Sequence, residues 1–170
     1  MENDMVAHVI DQWTAERPDL ADDLWPVEAL GRIQRMTRII EKQLKTFMTE
    51  HGLEVGEFDV LASLRRSGPP YALTAGALIP AAMVTSGAIT NRIDRLEAKG
   101  LVERVRDDVD RRSVRIRLTE RGLEISGKVM EAHLRHYARL LDPLGRDGTA
   151  AVAEALRTLL LAHGDTPAFD

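Results

Sequence analysis

Residues 89–118 read ITNRIDRLEAKGLVERVRDDVDRRSVRIRL, and the change of period inside this stretch decides the fold. Its first part places Ile89, Ile93 and Leu96 at three- and four-residue steps, the inner face of an amphipathic helix over residues 83–99. Gly100 follows as the left-handed cap. Beyond it the period drops to two. Leu101-Val102-Glu103-Arg104-Val105 and Val114-Arg115-Ile116-Arg117-Leu118 alternate apolar and charged residues, which predicts two strands, each with one buried face. The connection, RDDVDRRS over residues 106–113, is charged and turn-rich, so the unit is a β-hairpin with a basic tip.

Upstream, Phe58, Leu61 and Leu64 share one face of a shorter helix from Glu57 to Arg66. Ser67-Gly68-Pro69-Pro70 reads as a loop. Thr74 reads as the N-cap of a short helix through Ile79, which Pro80 breaks. Short helix, short helix, hairpin is the order of a winged helix-turn-helix, here over residues 57–118. The predicted fold class is mainly α with a small β-hairpin wing.

Long amphipathic helices flank this unit. Met5, Val9, Ile10 and Trp13 mark a short N-terminal helix that ends near Glu16-Arg17-Pro18-Asp19. Leu30, Ile33, Ile40, Leu44 and Phe47 mark a helix over residues 24–50, closed by His51-Gly52. Thr119 starts another, to Leu141, and Asp142-Pro143 ends it. A last helix covers residues 147–163, and the final seven residues are expected to fray. The predicted organisation is one intertwined domain: an extra helix and a dimerisation helix over 1–56, the winged unit over 57–118, and dimerisation helices over 119–170.

Composition limits the chemistry. The 170 residues carry a net charge of −4 and include no cysteine, which excludes disulfides, zinc–thiolate sites and thiol nucleophiles. The N-terminus resembles no secretory signal, and no apolar run is long enough to span a bilayer, so a cytoplasmic location is expected. No phosphate-binding glycine loop or hydrolase motif is present, so no enzyme and no cofactor are expected. His133 and His136 share a helix face, but a metal site is a poor explanation for them without thiolate partners. Charge is segregated. Residues 1–31 hold eight acids and one base, 32–45 hold five bases against Glu41, and 92–117 hold nine bases against six acids. An acidic chain can therefore present a basic face to a phosphate backbone.

In a winged helix-turn-helix the second helix enters a major groove and the hairpin reaches the adjacent minor groove or backbone. Thr85, Ser86, Thr90 and Asn91 near the front of that helix suit phosphate or base-edge contacts. Asp110, Arg111 and Arg112 sit at the hairpin tip, where an arginine fits a narrow minor groove and Asp110 can hold it in place. The competing reading is a winged-helix protein-interaction module with a solvated tip and no DNA site.

The run Ile89 to Arg104, the segment Asp107 to Ser113 and the phrase Arg117-Leu-Thr-Glu-Arg-Gly122 resemble the MarR (multiple-antibiotic-resistance regulator) family, over about residues 30–163. The resemblance implies a homodimer with intertwined terminal helices that binds double-stranded DNA, expected to act as a repressor. Trp13, the phrase Glu16 to Leu20 and the run Gly56 to Tyr71 are similar to its urate-responsive subgroup, the PecS- and UrtR-like regulators. That similarity implies a small anionic ligand such as urate, and a ligand set of Trp13, Asp59, Arg92 and either Arg104 or Arg106. An aromatic wall and a guanidinium suit a flat anion. A carboxylate does not, and Asp59 reads better as the group that holds an arginine until the ligand displaces it. Each residue also has a plainer role: Trp13 as packing for the extra helix, Asp59 as a helix-start carboxylate, Arg92 as a phosphate contact.

Overall fold

The computed structural model describes residues 3–81, 86–106 and 113–166, and for residues 86–88 the backbone alone. These fall into two compact units, residues 1–60 and 61–170, and each is described by itself.

The first unit begins with α1 (Met5–Glu16) and α2 (Trp25–Glu50), with a 3-10 turn at Pro18–Asp23 between them. Asp4 caps α1 by accepting the Ala7 amide at 2.8 Å, and its carboxylate also takes the Arg32 guanidinium of α2 at 2.7 Å. The amide bond first, and the arginine second, hold the Asp4 carboxyl below its usual pKa. Its folded pKa is depressed, so this cap works above the ordinary carboxylate pKa and is lost as pH falls through the lowered value. Acidification through that range, or Asp4→Ala at neutral pH, is therefore expected to fray α1 first, read as faster amide exchange confined to residues 5–16. Val6 is buried and sits over Gly31, where a Cβ would lie 3.0 Å from the valine methyl. The 3-10 turn follows the predicted end of α1 and is tied by a bidentate Arg17–Asp19 pair at 2.8 and 2.6 Å.

The predicted cap of α2 is present. Gly52 has φ +70°, its amide donates to Thr49 at 3.0 Å, and the Leu53 amide donates to Met48 at 2.9 Å, a complete Schellman motif. Then α3 (Val55–Arg66) starts on a capping contact in which Glu57 Oε2 accepts the Glu54 amide at 2.8 Å.

The second unit holds a three-stranded antiparallel sheet in the order β1 (Ala72–Thr74), β3 (Val114–Leu118), β2 (Val102–Arg106). The hairpin pairs Val102 with Leu118 and Arg104 with Ile116. After the expected loop at Ser67–Pro70 comes the short strand β1, absent from the sequence-based expectation, and in it Leu73 pairs with Ile116. Thr74 ends that strand and also caps the next helix, its Oγ1 accepting the Ala77 amide at 3.2 Å. That helix, α4 (Ala75–Ala81), carries Pro80 in its last turn and does not stop before it. A proline there forfeits one bond at a helix end already short of partners, so it costs less than in mid-helix.

Next comes α5 (Ser86–Ala98), capped by Gly100 at φ +67° with a second Schellman pair, Gly100 to Glu97 at 2.8 Å and Leu101 to Leu96 at 2.9 Å. Then α6 (Glu120–Leu141) is capped by Thr119, and α7 (Gly145–Ala162) follows a 3-10 turn, two residues earlier than its periodicity predicts. The core of this unit is Leu61, Leu64, Leu78, Ile93, Leu96, Val102 and Ile116, each at most 2% exposed.

Candidate nucleic-acid interface and ligand residues

Burial on α5 follows its apolar period. Ile89, Ile93 and Leu96 point into the core, and Thr90, Asn91, Asp94 and Arg95 are exposed. Two of the candidate DNA contacts, Thr90 and Asn91, are therefore displayed on the outer face of the helix. Ser86 is the first residue of α5. Thr85, Asp110, Arg111 and Arg112 lie outside the described residues.

Arg104 joins the wing to this helix. Arg104 on β2 donates to Asp94 at 2.5 Å and also to Glu97, the two acids standing three residues apart on α5. Those bonds, the one to Asp94 foremost, raise the arginine's pKa further above its ordinary value. Arg104 thus spends its guanidinium holding the first wing strand against the helix. The acids that occupy it were legible as charges, but an ion pair between a helix and a strand follows no sequence spacing. Across the hairpin, Arg117 pairs with Glu103 at 2.8 Å. Arg104→Ala is expected to loosen the wing with little loss of fold stability, since exposed pairs contribute about 1 kcal/mol or less. The check is amide exchange: faster over β2 and the end of α5, unchanged on α6.

Arg92 is half-buried, and its Nη1 is buried without a hydrogen-bond partner among the described residues. A buried guanidinium N–H left unpaired is costly, and a ligand acceptor or an ordered water would relieve it. Asp59 is half-buried on α3 and is the fifth residue of that helix. The acid in the first turn is Glu57, so the helix-start role belongs to Glu57 and not to Asp59. Trp13 is half exposed on α1, on one stripe with Met5 and Val9. In this single chain Trp13 is an outward-facing aromatic and not core packing. Trp13 and Asp59 belong to the first unit, Arg92 and Arg104 to the second.

Sequence reasoning missed Arg65. Its guanidinium donates to the Leu123 carbonyl and, at 3.2 Å, to Ser126 Oγ, tying the end of α3 to α6 across Gly127. The two histidines of α6 flank Tyr137. The His133 ring meets that of Tyr137 at 4.0 Å between centroids, tilted by 53°, and no group of potential metal ligands occurs among the described residues. No helix there is long and apolar enough to cross a membrane.

Comparison with known proteins places this architecture. A family model described as MarR family matches residues 51–113. The chain is 36% identical over 142 residues to the HTH-type transcriptional regulator PecS of Dickeya dadantii, covering 84% of each chain. It is 30% identical to the multiple antibiotic resistance protein MarR of Salmonella typhimurium, over 84% of this chain and 93% of that one. The chain belongs to the MarR family of transcriptional regulators. Its fold is shared with AbsC, a MarR family regulator from Streptomyces coelicolor, at a TM-score of 0.70, 24% identity and coverage of 81% and 93%. It is also shared with a cysteine-to-serine mutant of E. coli MarR complexed with operator DNA, at a TM-score of 0.68, 27% identity and coverage of 81% and 97%. The relatives are regulators of transcription, and the chain is not an enzyme.

Proposed function

We propose that the chain acts as a homodimeric, sequence-specific DNA-binding repressor, released from a pseudo-palindromic operator by a small planar anion such as urate. The observation that carries the DNA half is the outer face of α5. It offers Thr90 and Asn91 while Ile89, Ile93 and Leu96 of the same helix are buried. Each α5 would enter a major groove, with half-site centres about 34 Å apart. Thr85, Ser86, Asp110, Arg111 and Arg112 complete the proposed contact set, with the tip arginines in the minor groove. The E. coli MarR solved with operator DNA supports this reading.

The ligand half rests on Arg92, whose buried Nη1 lacks a partner among the described residues. A planar anion offers that nitrogen an acceptor, and Trp13, Asp59 and Arg104 complete the proposed set. Arg104 enters it through its two carboxylates. Any anion that competes for the guanidinium must break the clamp between wing and α5, which changes the DNA-reading surface. Trp13 supplies an exposed aromatic ring on which a planar anion can stack.

The test is fluorescence anisotropy with DNA from upstream of the chain's own coding region, over a salt series, with and without urate. Tight, salt-steep binding that urate weakens is the expected result. Arg92→Gln and Trp13→Phe should blunt the urate response about tenfold or more while changing DNA affinity without urate by less than about threefold. Arg112→Ala should weaken DNA binding about tenfold with fold intact. If it binds as tightly as the parent, the wing assignment fails, and no DNA binding at low salt favours the interaction-module reading. Salt-steep binding unmoved by urate would keep the regulator and exclude urate as its ligand.

A further inference from the structure

The five bases on α2 do not share one fate. Arg32 is consumed by Asp4. Arg35, Arg38, Lys42 and Lys45 are all exposed, and none of their side chains has a hydrogen bond or ion pair among the described residues. Their steps of three, four and three residues put them on one helix face, over about 15 Å of axis. Glu41 stands one turn from both Arg38 and Lys45, at the edge of this face, and among the described residues no ion pair joins it to either. Elsewhere Arg17, Arg104, Arg117, Lys128 and Arg157 each hold a carboxylate. Phe47 and Met48 supply the buried face at the end of the same helix, so folding does not require the basic face.

We infer that this stripe is a second, sequence-independent DNA contact, which engages the phosphate backbone while the winged unit reads the bases. The inference rests on the DNA-binding reading above. Four unpaired cations in a row attract a line of phosphates, whose charges repeat every few ångströms along a strand. Flexible lysine and arginine heads without fixed partners suit a polyanion of any sequence and not one particular side chain. Such contacts add affinity and salt dependence and leave base preference untouched.

The experiment compares the parent with Arg35→Gln/Arg38→Gln/Lys42→Gln/Lys45→Gln on two duplexes of equal length, the upstream DNA and its shuffled sequence, in about 50–200 mM KCl. The slope of log affinity against log salt should become shallower by about 0.9 for each phosphate the variant no longer neutralises, so by about two units or more. Affinity at the lowest salt should fall at least about tenfold on both duplexes, with the preference for upstream over shuffled DNA unchanged. Circular dichroism checks that the variant keeps its helices. If it does not, Arg38→Gln/Lys42→Gln must give about half the slope change. Parent-like affinity and slope would overturn the stripe and leave the DNA reading standing. A parent that binds neither duplex would overturn both. Loss of binding to phosphatidylserine vesicles with the duplex slope unchanged would overturn the DNA assignment in favour of a membrane surface.

Discussion

Gly122→Ala should be the most damaging conservative substitution in the chain. A Cβ at this position would lie 1.9 Å from the Leu101 carbonyl oxygen and 2.9 Å from its carbonyl carbon. Two effects compete. In a helix interior, alanine ordinarily gains about 1 kcal/mol over glycine. Here the obstacle is backbone, and that backbone is pinned: the Leu101 carbonyl accepts the Thr119 amide at 3.1 Å, and Thr119 Oγ1 donates to the Gly100 carbonyl at 2.8 Å. Relief requires α6 to pull away from the start of β2, breaking those bonds and opening buried Leu101 and Val102. The clash wins, at a cost on the order of 3 kcal/mol or more. That corresponds to a fall in Tm of about 10 °C for a domain of this size. Gly127→Ala is the control. The nearest atoms to its Cβ would be those of the Arg65 guanidinium, at 3.2 Å, a side-chain end that can give by a few tenths of an ångström at the expense of its bonds to α6, whereas the Leu101 backbone cannot. This variant should change Tm by about 2 °C or less. Equal Tm values for the two variants would show that α6 does not rest on the Leu101 carbonyl.

Gly122 also shows what a sequence can and cannot convey. The phrase around it is visible as a family motif, but the reason for the glycine is a tertiary approach to Leu101, far from it along the chain. The local devices were open to reading. Gly52 and Gly100 each close an apolar helical period, and both form the predicted left-handed cap. The alternation expected of the hairpin holds on β3, where Ile116 and Leu118 are buried, while β2 buries Val102 and leaves Val105 on the other face. β1 escaped because Ala72-Leu73-Thr74 is too short to show a period and exists by pairing with β3. β3 departs from the simple pattern at its start: Val114, on the alternation's apolar face, is exposed. At the candidate site, the residue types and the outward face of α5 were legible. The commitment of Arg104 to Asp94 and Glu97, and the buried nitrogen of Arg92 that has no partner among the described residues, depend on three-dimensional neighbours that no spacing rule supplies.

Leu156→Asp/Leu160→Asp should turn a dimer into a folded monomer and remove operator binding with it. Not one residue of α7 is buried in the single chain, although the helix carries Val152, Leu156, Leu159, Leu160 and Leu161, each between 37% and 51% exposed. A helix with this much open apolar surface marks an interface. Nearby, a groove of about 510 Å³ between the end of α6 and α7 is lined by Ala138, Leu141, Ala150 and Ala153 together with Asp142, Arg146 and Thr149, large enough to admit side chains from a second copy. Each half-exposed leucine offers about 1 kcal/mol on burial, against an association cost of about 4–15 kcal/mol, so several from each protomer must act together. In a two-fold interface each substitution counts twice and buries two charges against apolar surface. A loss of about a thousandfold or more in dimer affinity is expected. Sedimentation should shift from twice 18.9 kDa to 18.9 kDa with helix content retained, because α7 contributes no buried side chain to its own chain's core. Operator affinity should fall about 10²–10⁴-fold, the gain normally obtained by linking two half-site contacts in one molecule. A variant that stays dimeric would move the interface elsewhere. One that becomes monomeric yet binds the operator like the parent would show that a single winged unit suffices, against the two-fold reading of the operator.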